Sequence, residues 1–223
     1  MDKFKAETIK TKVNITMEAL KANNMNAFYA ETSADAVEIA KTLLKDGDTI
    51  SHGGSVTLKE AGFTELFNSG KYNYLDRSKA TTAEETMELY RKTFSANVFF
   101  TSSNAVTLKG ELYNVDGNSN RVAPMLFGPD KVVVVVGVNK LVNSIDDAVA
   151  RVKEIAAPAN CVRLEKNTYC KANSKCVTAD DKNGDFCAGC KSEDRICCNY
   201  TVMSRQRNAG RVNVIIVNEE LGY

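Results

Sequence analysis

An α/β fold is what this sequence predicts: a mostly parallel β-sheet sandwiched by helices, with a cysteine-rich insertion before the last strand. Three observations lead there. Five valines run unbroken from Val132 to Val136, and residues 212–217 read VNVIIV; β-branched runs of this kind belong to strands buried on both faces, as in a helix-covered parallel sheet. Strand-like and helix-like apolar patterns alternate along the chain. All seven cysteines fall between Cys161 and Cys198, in a polar stretch with little apolar periodicity.

The elements follow in order. Ile9, Val13, Met17 and Leu20 recur at helical spacing and predict an amphipathic helix over 4–22. Met25 to Glu31 reads as a strand. Thr32 or Ser33 is placed to cap a second helix that reaches Leu44 and buries Val37, Ala40 and Leu44. After the turn Asp46-Gly47-Asp48, Thr49-Ile50-Ser51 is a short strand that runs into His52-Gly53-Gly54-Ser55. Phe63 to Asn68 reads as a helical turn and Tyr72 to Leu75 as a short strand. Thr82 and Glu85 form a capping box, and the helix behind it is expected to bury Ala83, Met87, Tyr90 and Phe94.

The central stretch opens with Val98-Phe99-Phe100 and the polar turn from Thr101 to Asn104. A hairpin-like passage to Val115, the turn Asp116-Gly117-Asn118 and a short helix from Arg121 to Leu126 come next. Ser144 caps a helix with Ile145, Ala148, Val152 and Ile155 inward, and Pro158 is expected to stop it. The chain reads as one domain over 1–223, with the insertion at 159–207 inside it.

The bulk numbers exclude several classes. With 29 basic and 28 acidic residues the net charge is +1, so there is no electrostatic footprint for nucleic acid. No stretch approaches about 18 apolar residues, so no membrane span is expected. The first twenty residues are charged and amphipathic and lack the apolar centre of a signal peptide, so a cytoplasmic chain is expected.

In a reducing compartment, clustered cysteines point to metal or redox chemistry. Cys187-Ala-Gly-Cys190 is a C-x-x-C knuckle, with Asn183-Gly184 as a further turn signal ahead of it. Together with Cys176 before it and Cys197 after it, the knuckle supplies four thiolates, which suit zinc and an iron–sulfur cluster equally. Cys170 is a fifth candidate, and Cys161 reads as a buried or bystander thiol. The competing readings are a zinc staple holding a coreless flap, a redox cluster, and unligated thiols or disulfides.

Other candidates lie in the strand-end loops, where open α/β sheets place ligands. Gly53, Gly54 and Ser55 offer backbone N–H groups to an anion, or form only a tight turn with Ser55 as a helix cap. His52, the one histidine, is suited to acid–base work, or is a satisfied structural residue. Ser102 and Ser103, followed by Asn104, read as hydrogen-bond donors to a ligand. In Asp116-Gly117-Asn118-x-Asn120-Arg121, the guanidinium of Arg121 is placed to fork onto a carboxylate or phosphate and Asp116 to orient it or to act on a hydroxyl, which makes both catalytic candidates beside His52; Gly117 and Asn120 complete the loop. The alternative is a loop that satisfies its own turns.

Several motifs carry a family resemblance: SHGGSVTLKEAG, TSSNAVT, NVDGNSNRVAPMLFGP, KVVVVVGVNKLV, CAGCKSEDRIC and the terminal VNVIIVNEELGY. In this order they resemble the LUD domain family, the lactate-utilisation protein C group, over nearly the whole chain. The resemblance implies a NagB/RpiA/CoA-transferase-like fold and a phosphate, CoA or carboxylate ligand at the strand-end loops. It also favours Cys197 over Cys198 as a ligand, because Cys197 stands in the RIC motif. The superfamily's acyl-carrying glutamate has no matching position, which argues against CoA transfer.

The first functional expectation, resting on the resemblance, is a subunit of an iron–sulfur L-lactate-oxidising complex that binds a small anion such as a 2-hydroxy acid, with iron–sulfur partner subunits. The second is a stand-alone enzyme on a phosphorylated or CoA-linked small molecule, and the third a non-catalytic, metal-stapled binding module. No nucleotide cofactor is assignable. Self-association into a homo-oligomer is left open.

Overall fold

In chain order, α1 (Lys3–Ala22) is followed by β1 (Asn26–Ala30), α2 (Ser33–Thr42), β2 (Thr49–His52), α3 (Val56–Glu60), α4 (Phe63–Phe67) and β3 (Asn73–Tyr74). Then come α5 (Ala83–Thr93), β4 (Val98–Thr101), β5 (Ala105–Thr107), β6 (Leu112–Asp116), α6 (Val122–Leu126) and β7 (Lys131–Gly137). The chain continues through β8 (Leu141–Val142), α7 (Ile145–Arg151), α8 (Ala157–Arg163), α9 (Tyr169–Asn173), β9 (Asn199–Met203) and β10 (Val212–Val217). This computed structural model describes residues 2–181 and 185–223, so the turn expected at Asn183-Gly184 lies outside the described residues.

Six strands form one parallel sheet in the order β1-β10-β7-β4-β2-β3. The valine run sits at its centre. Val133 and Val135 face a core shared with α2, α3 and α4, whereas Val132, Val134 and Val136 face α1 and α6. Both faces are therefore dry, as the unbroken apolar run requires, and burying each valine is worth roughly 1.5–3 kcal/mol.

A second sheet, in the order β8-β5-β6-β9, covers part of the α1 face. β5 runs antiparallel to β6 and parallel to β8, and β9 adds to β6 antiparallel. Its strands are short, and β9 comes from the tail of the cysteine-rich segment. The insertion is thus woven into the fold at one end.

The helix caps form where their residues predict: Thr32 with Asp35 and Thr82 with Glu85 as capping boxes, and Ser144 at the start of α7. Two buried faces differ from expectation. On α5, Met87 and Phe94 are 49% and 38% exposed, and the inward stripe is Leu89, Tyr90 and Thr93. Thr93 wins its position through a hydroxyl bond of 2.8 Å with Ser51 on β2, which turns the helix by about one residue. Beyond α7, Ile155 is 52% exposed and Ala156 is buried instead. A π-helical turn over Val152–Ala156 widens the register there, and the chain passes through Pro158 into α8 without stopping.

Candidate functional site

Because the main sheet is parallel, every strand delivers its carboxyl end to the same edge. His52 stands level with Phe100, Thr101 with Val134, Gly137 with Val217, and Val217 with Ala30. The loops after β2, β4 and β6 meet at this edge. Arg121 joins all three. Its aliphatic stem lies on Gly53, where a Cβ would come within 2.6 Å of its Cγ, so only glycine admits this approach.

Both terminal nitrogens of the Arg121 guanidinium are engaged inside the protein. Nη1 donates to the Ser102 carbonyl at 3.1 Å and to Asn114 Oδ1 at 2.6 Å; Nη2 donates to Asn104 Oδ1 at 3.1 Å and to the Val115 carbonyl at 2.9 Å. Asp116 does not touch this group. Its carboxylate accepts from the backbone N–H of Gly117, Arg121 and Val122 and so caps α6. Ser103 donates to the carbonyls of Ala105 and Tyr113, and Ser55 caps α3 by accepting from Leu58 N–H. The loops expected from the sequence do converge, and they are satisfied largely by one another.

A lysine completes the inner network. Lys140, 3% exposed, follows β7 and donates to Thr57 Oγ1 at 2.7 Å and Ser102 Oγ at 3.1 Å. Among the described residues no carboxylate forms an ion pair with it. Burial, aided by Arg151 and Arg121, brings its pKa down from 10.5 to about 7. Arg151 is buried beside it and donates to the carbonyls of Asn139 and Asn104.

Outside this network lies a small surface cleft, walled in part by His52, Arg77, Tyr90 and Asn120. Among the described residues, the side chains of Arg77, Tyr90 and Asn120 have no hydrogen-bond or ion-pair partner. Arg77 rests against Gly54, where a Cβ would stand 3.0 Å from its Nη2. His52 Nδ1 is 2.8 Å from the Gly53 carbonyl and Nε2 is 2.7 Å from the Tyr74 hydroxyl. A carbonyl partner requires the proton on Nδ1, so Nε2 accepts from Tyr74 in the neutral ring. Burial holds the His52 pKa below its ordinary value, with Arg77 acting in the same direction. The cleft thus joins an unpaired cation, a free amide and a free phenol beside a neutral imidazole.

Arg77, Tyr90, Lys140, Thr57 and Arg151 were not singled out in the sequence. Position flags two of them: Arg77 follows β3 and Lys140 follows β7, each just past a parallel strand, as Ser102 is past β4.

Four of the cysteines line a second, small cavity between the second sheet, the helices α7 to α9 and the cysteine-rich coil. Cys170, Cys176, Cys190 and Cys197 line it, while Cys187 and Cys198 are exposed and Cys161 is buried, its Sγ 3.6 Å from Cys170 Sγ. All are free thiols, and among the described residues no three Cys, His, Asp or Glu side chains stand close enough to hold one ion. Burial pushes the Cys197 thiol up to about 11. Arg195 gathers the coil: it donates to the carbonyls of Cys197 at 2.8 Å, Cys190 at 3.2 Å and Cys187 at 2.8 Å.

Comparison with known proteins agrees with this architecture. A DUF162-family protein from Deinococcus radiodurans superposes with a TM-score of 0.51 over 96% of this chain and 98% of its own, at 13% identity, which establishes a shared fold. The delta subunit of eIF2B from Chaetomium thermophilum matches 53% of this chain and 50% of its own, at 19% identity and a TM-score of 0.36, too little to bear on fold or function. No curated protein sequence matches the chain. The LUD domain model matches residues 13–217, nearly the full length, and the chain therefore belongs to the LUD domain family.

Proposed function

We propose that this protein is a cytoplasmic, lactate-utilisation-type subunit that binds a small carboxylate of the 2-hydroxy-acid class in the cleft formed by Arg77, Tyr90, Asn120 and His52. One observation supports the reading: Arg77 presents to the cleft a guanidinium with no partner among the described residues, packed on Gly54, whose missing side chain admits it there. A planar fork of N–H donors matches a carboxylate. Asn120 and Tyr90 have hydrogen-bonding capacity left for a neighbouring hydroxyl, and neutral His52 accepts a proton through Tyr74. Family membership supplies the lactate context. Iron–sulfur partner subunits take the electrons in this reading, so the oxidation itself is assigned to the assembled complex.

Thermal-shift titration tests the binding step. L-Lactate is expected to raise the melting temperature, with D-lactate, glycolate and acetate ranking the contribution of the hydroxyl; saturation at about 100 times Kd corresponds to about 2.7 kcal/mol. Arg77→Met is expected to remove the shift. No shift with any 2-hydroxy acid, either alone or with co-purified native partners, sinks the assignment. A shift with sugar phosphates or CoA esters, accompanied by turnover in the isolated chain, replaces it with a stand-alone enzyme.

A further inference from the structure

Two thiols at the base of the cysteine-rich segment face one another. Cys170 Sγ donates to Cys161 Sγ at 3.6 Å, and the two residues are 5% and 1% exposed. Cys161 belongs to α8 and Cys170 to α9. The turn between these helices is fastened at several points. Lys166 N–H donates to the Cys161 carbonyl at 2.9 Å, and Asp194 accepts from the Lys166 ammonium at 3.3 Å and from the Asn167 N–H at 2.8 Å. The pair is therefore carried on backbone tied to its surroundings. An approach of about 1.5 Å brings the sulfurs to disulfide bonding distance.

We propose that Cys161 and Cys170 are a redox-active dithiol, oxidised reversibly to a disulfide by a small peroxide that reaches Cys170 through the adjoining cavity. The two thiols differ in access: Cys170 lines the cavity and Cys161 does not. Tyr169, Val177 and Phe186 also line it and are 43%, 49% and 54% exposed, which brings its wall to the surface. Two further groups favour a thiolate at Cys170. Lys153 lines the same cavity, and among the described residues its ammonium donates only to the Thr178 carbonyl, at 3.5 Å. The Thr168 hydroxyl lies 3.4 Å from Cys170 Sγ and accepts from the Lys171 N–H, which leaves its own proton for the sulfur. Contact alone is what two small apolar side chains would show. A cation and an opening at one of the two sulfurs go beyond it.

The oxidation proceeds in two displacements. The Cys170 sulfur attacks one peroxide oxygen and the O–O bond breaks; the thiol proton leaves with the other oxygen as water, and Cys170 becomes a sulfenic acid. The Cys161 sulfur then attacks Cys170 Sγ and the S–O bond breaks; the Cys161 proton leaves with that oxygen as a second water. Two thiols have lost two electrons and two protons, and the peroxide has taken up both. A low-molecular-weight thiol reverses the change by exchange through a mixed disulfide. Closure links α8 to α9 and fixes the start of the cysteine-rich coil. The neighbouring thiol also spares Cys170 from irreversible oxidation to the sulfinic acid. The inference is independent of the ligand read into the Arg77 cleft.

Peptide mapping of the full chain decides the matter. The reduced protein is treated with hydrogen peroxide, alkylated and digested with trypsin without reduction. Cleavage after Arg163 and Lys166 separates the two thiols, so the expected product is peptide 154–163 linked to peptide 167–171, short of two hydrogens and parted again by dithiothreitol. The exposed thiols of Cys187 and Cys198 are internal controls. The linked peptides should accumulate while both controls still take up the alkylating agent. Absence of the link, oxidation of the controls first, or linkage of Cys161 or Cys170 to another cysteine overturns the proposal. Order of attack is read from variants. Cys161→Ser should hold Cys170 as a sulfenic acid that dimedone labels, whereas Cys170→Ser should leave Cys161 unlabelled at the same peroxide dose; the reverse pattern overturns the assignment. The wild-type map needs no substitution, so it stands even where a serine variant fails to fold.

Discussion

Two regions of this molecule handle buried polar groups in opposite ways. At the strand ends, Arg121, Lys140 and Arg151 are enclosed by the main sheet, and oxygens of neighbouring loops accept their hydrogen bonds. In the cysteine-rich element, the coil is held by one guanidinium on three cysteine carbonyls, while beside it the buried Tyr113 hydroxyl has no hydrogen-bond partner among the described residues and the Lys153 ammonium reaches the Thr178 carbonyl at 3.5 Å. A dense apolar core can seat a polar layer that satisfies itself. A segment without such a core leaves groups unmatched, and those groups mark where something else belongs.

Substitutions test that contrast, beginning with the largest expected effect. Arg121→Ala strands the Ser102 and Val115 carbonyls and the side-chain oxygens of Asn104 and Asn114. The expected loss is about 3–5 kcal/mol, or roughly 10 °C in melting temperature, measured by denaturant and thermal unfolding. A loss below about 1 kcal/mol would mean the network is not the closed unit described.

Lys140→Met acts through pH. With its pKa at about 7 in the fold against 10.5 ordinarily, the unfolded chain binds the extra proton between those values, so stability rises with pH across that window. The variant lacks this rise. Urea melts from pH 7 to 10 should show the wild type gaining on Lys140→Met by at most about 1.4 kcal/mol per pH unit, and parallel curves would disprove the buried, neutralised amine.

Arg195→Ala is expected to loosen the cysteine coil at a cost of about 1–3 kcal/mol, with the main sheet intact. Hydrogen exchange should rise around 187–198 and remain slow in β7 and β10; equal acceleration in both regions would contradict the separation. Arg77→Met comes last. With no partner to lose, it should change stability by no more than about 0.5 kcal/mol while removing anion binding.

The parallel sheet was legible because Val132 to Val136 permit no other environment, and the caps at Thr82 and Ser144 because their hydrogen bonds are local. The convergence of Gly53, Ser102 to Asn104 and Arg121 followed from strand direction. Arg77 and Lys140 stayed hidden for a physical reason: a lone cation in a sequence looks like solvated surface, and only the fold shows which one is buried or unpaired. The second sheet was hidden too, since Leu141–Val142 and Ala105–Thr107 are too short to display a period. The buried face of α5 turned on one threonine pair that a hydrophobic pattern ignores.

The wide turn after α7 ties the two regions together. In its five-residue register the Ala157 N–H reaches back to the Val152 carbonyl, and the next amide would serve the Lys153 carbonyl. That next residue is Pro158, which has no N–H to give. The Lys153 oxygen is left unclaimed within its own helix and is taken by the amide of Cys176, at 2.8 Å. A missing hydrogen atom on one imino acid thereby becomes the mooring point of the thiol-bearing segment. Pro158→Ala, by returning that hydrogen, would make helix and mooring compete for one oxygen.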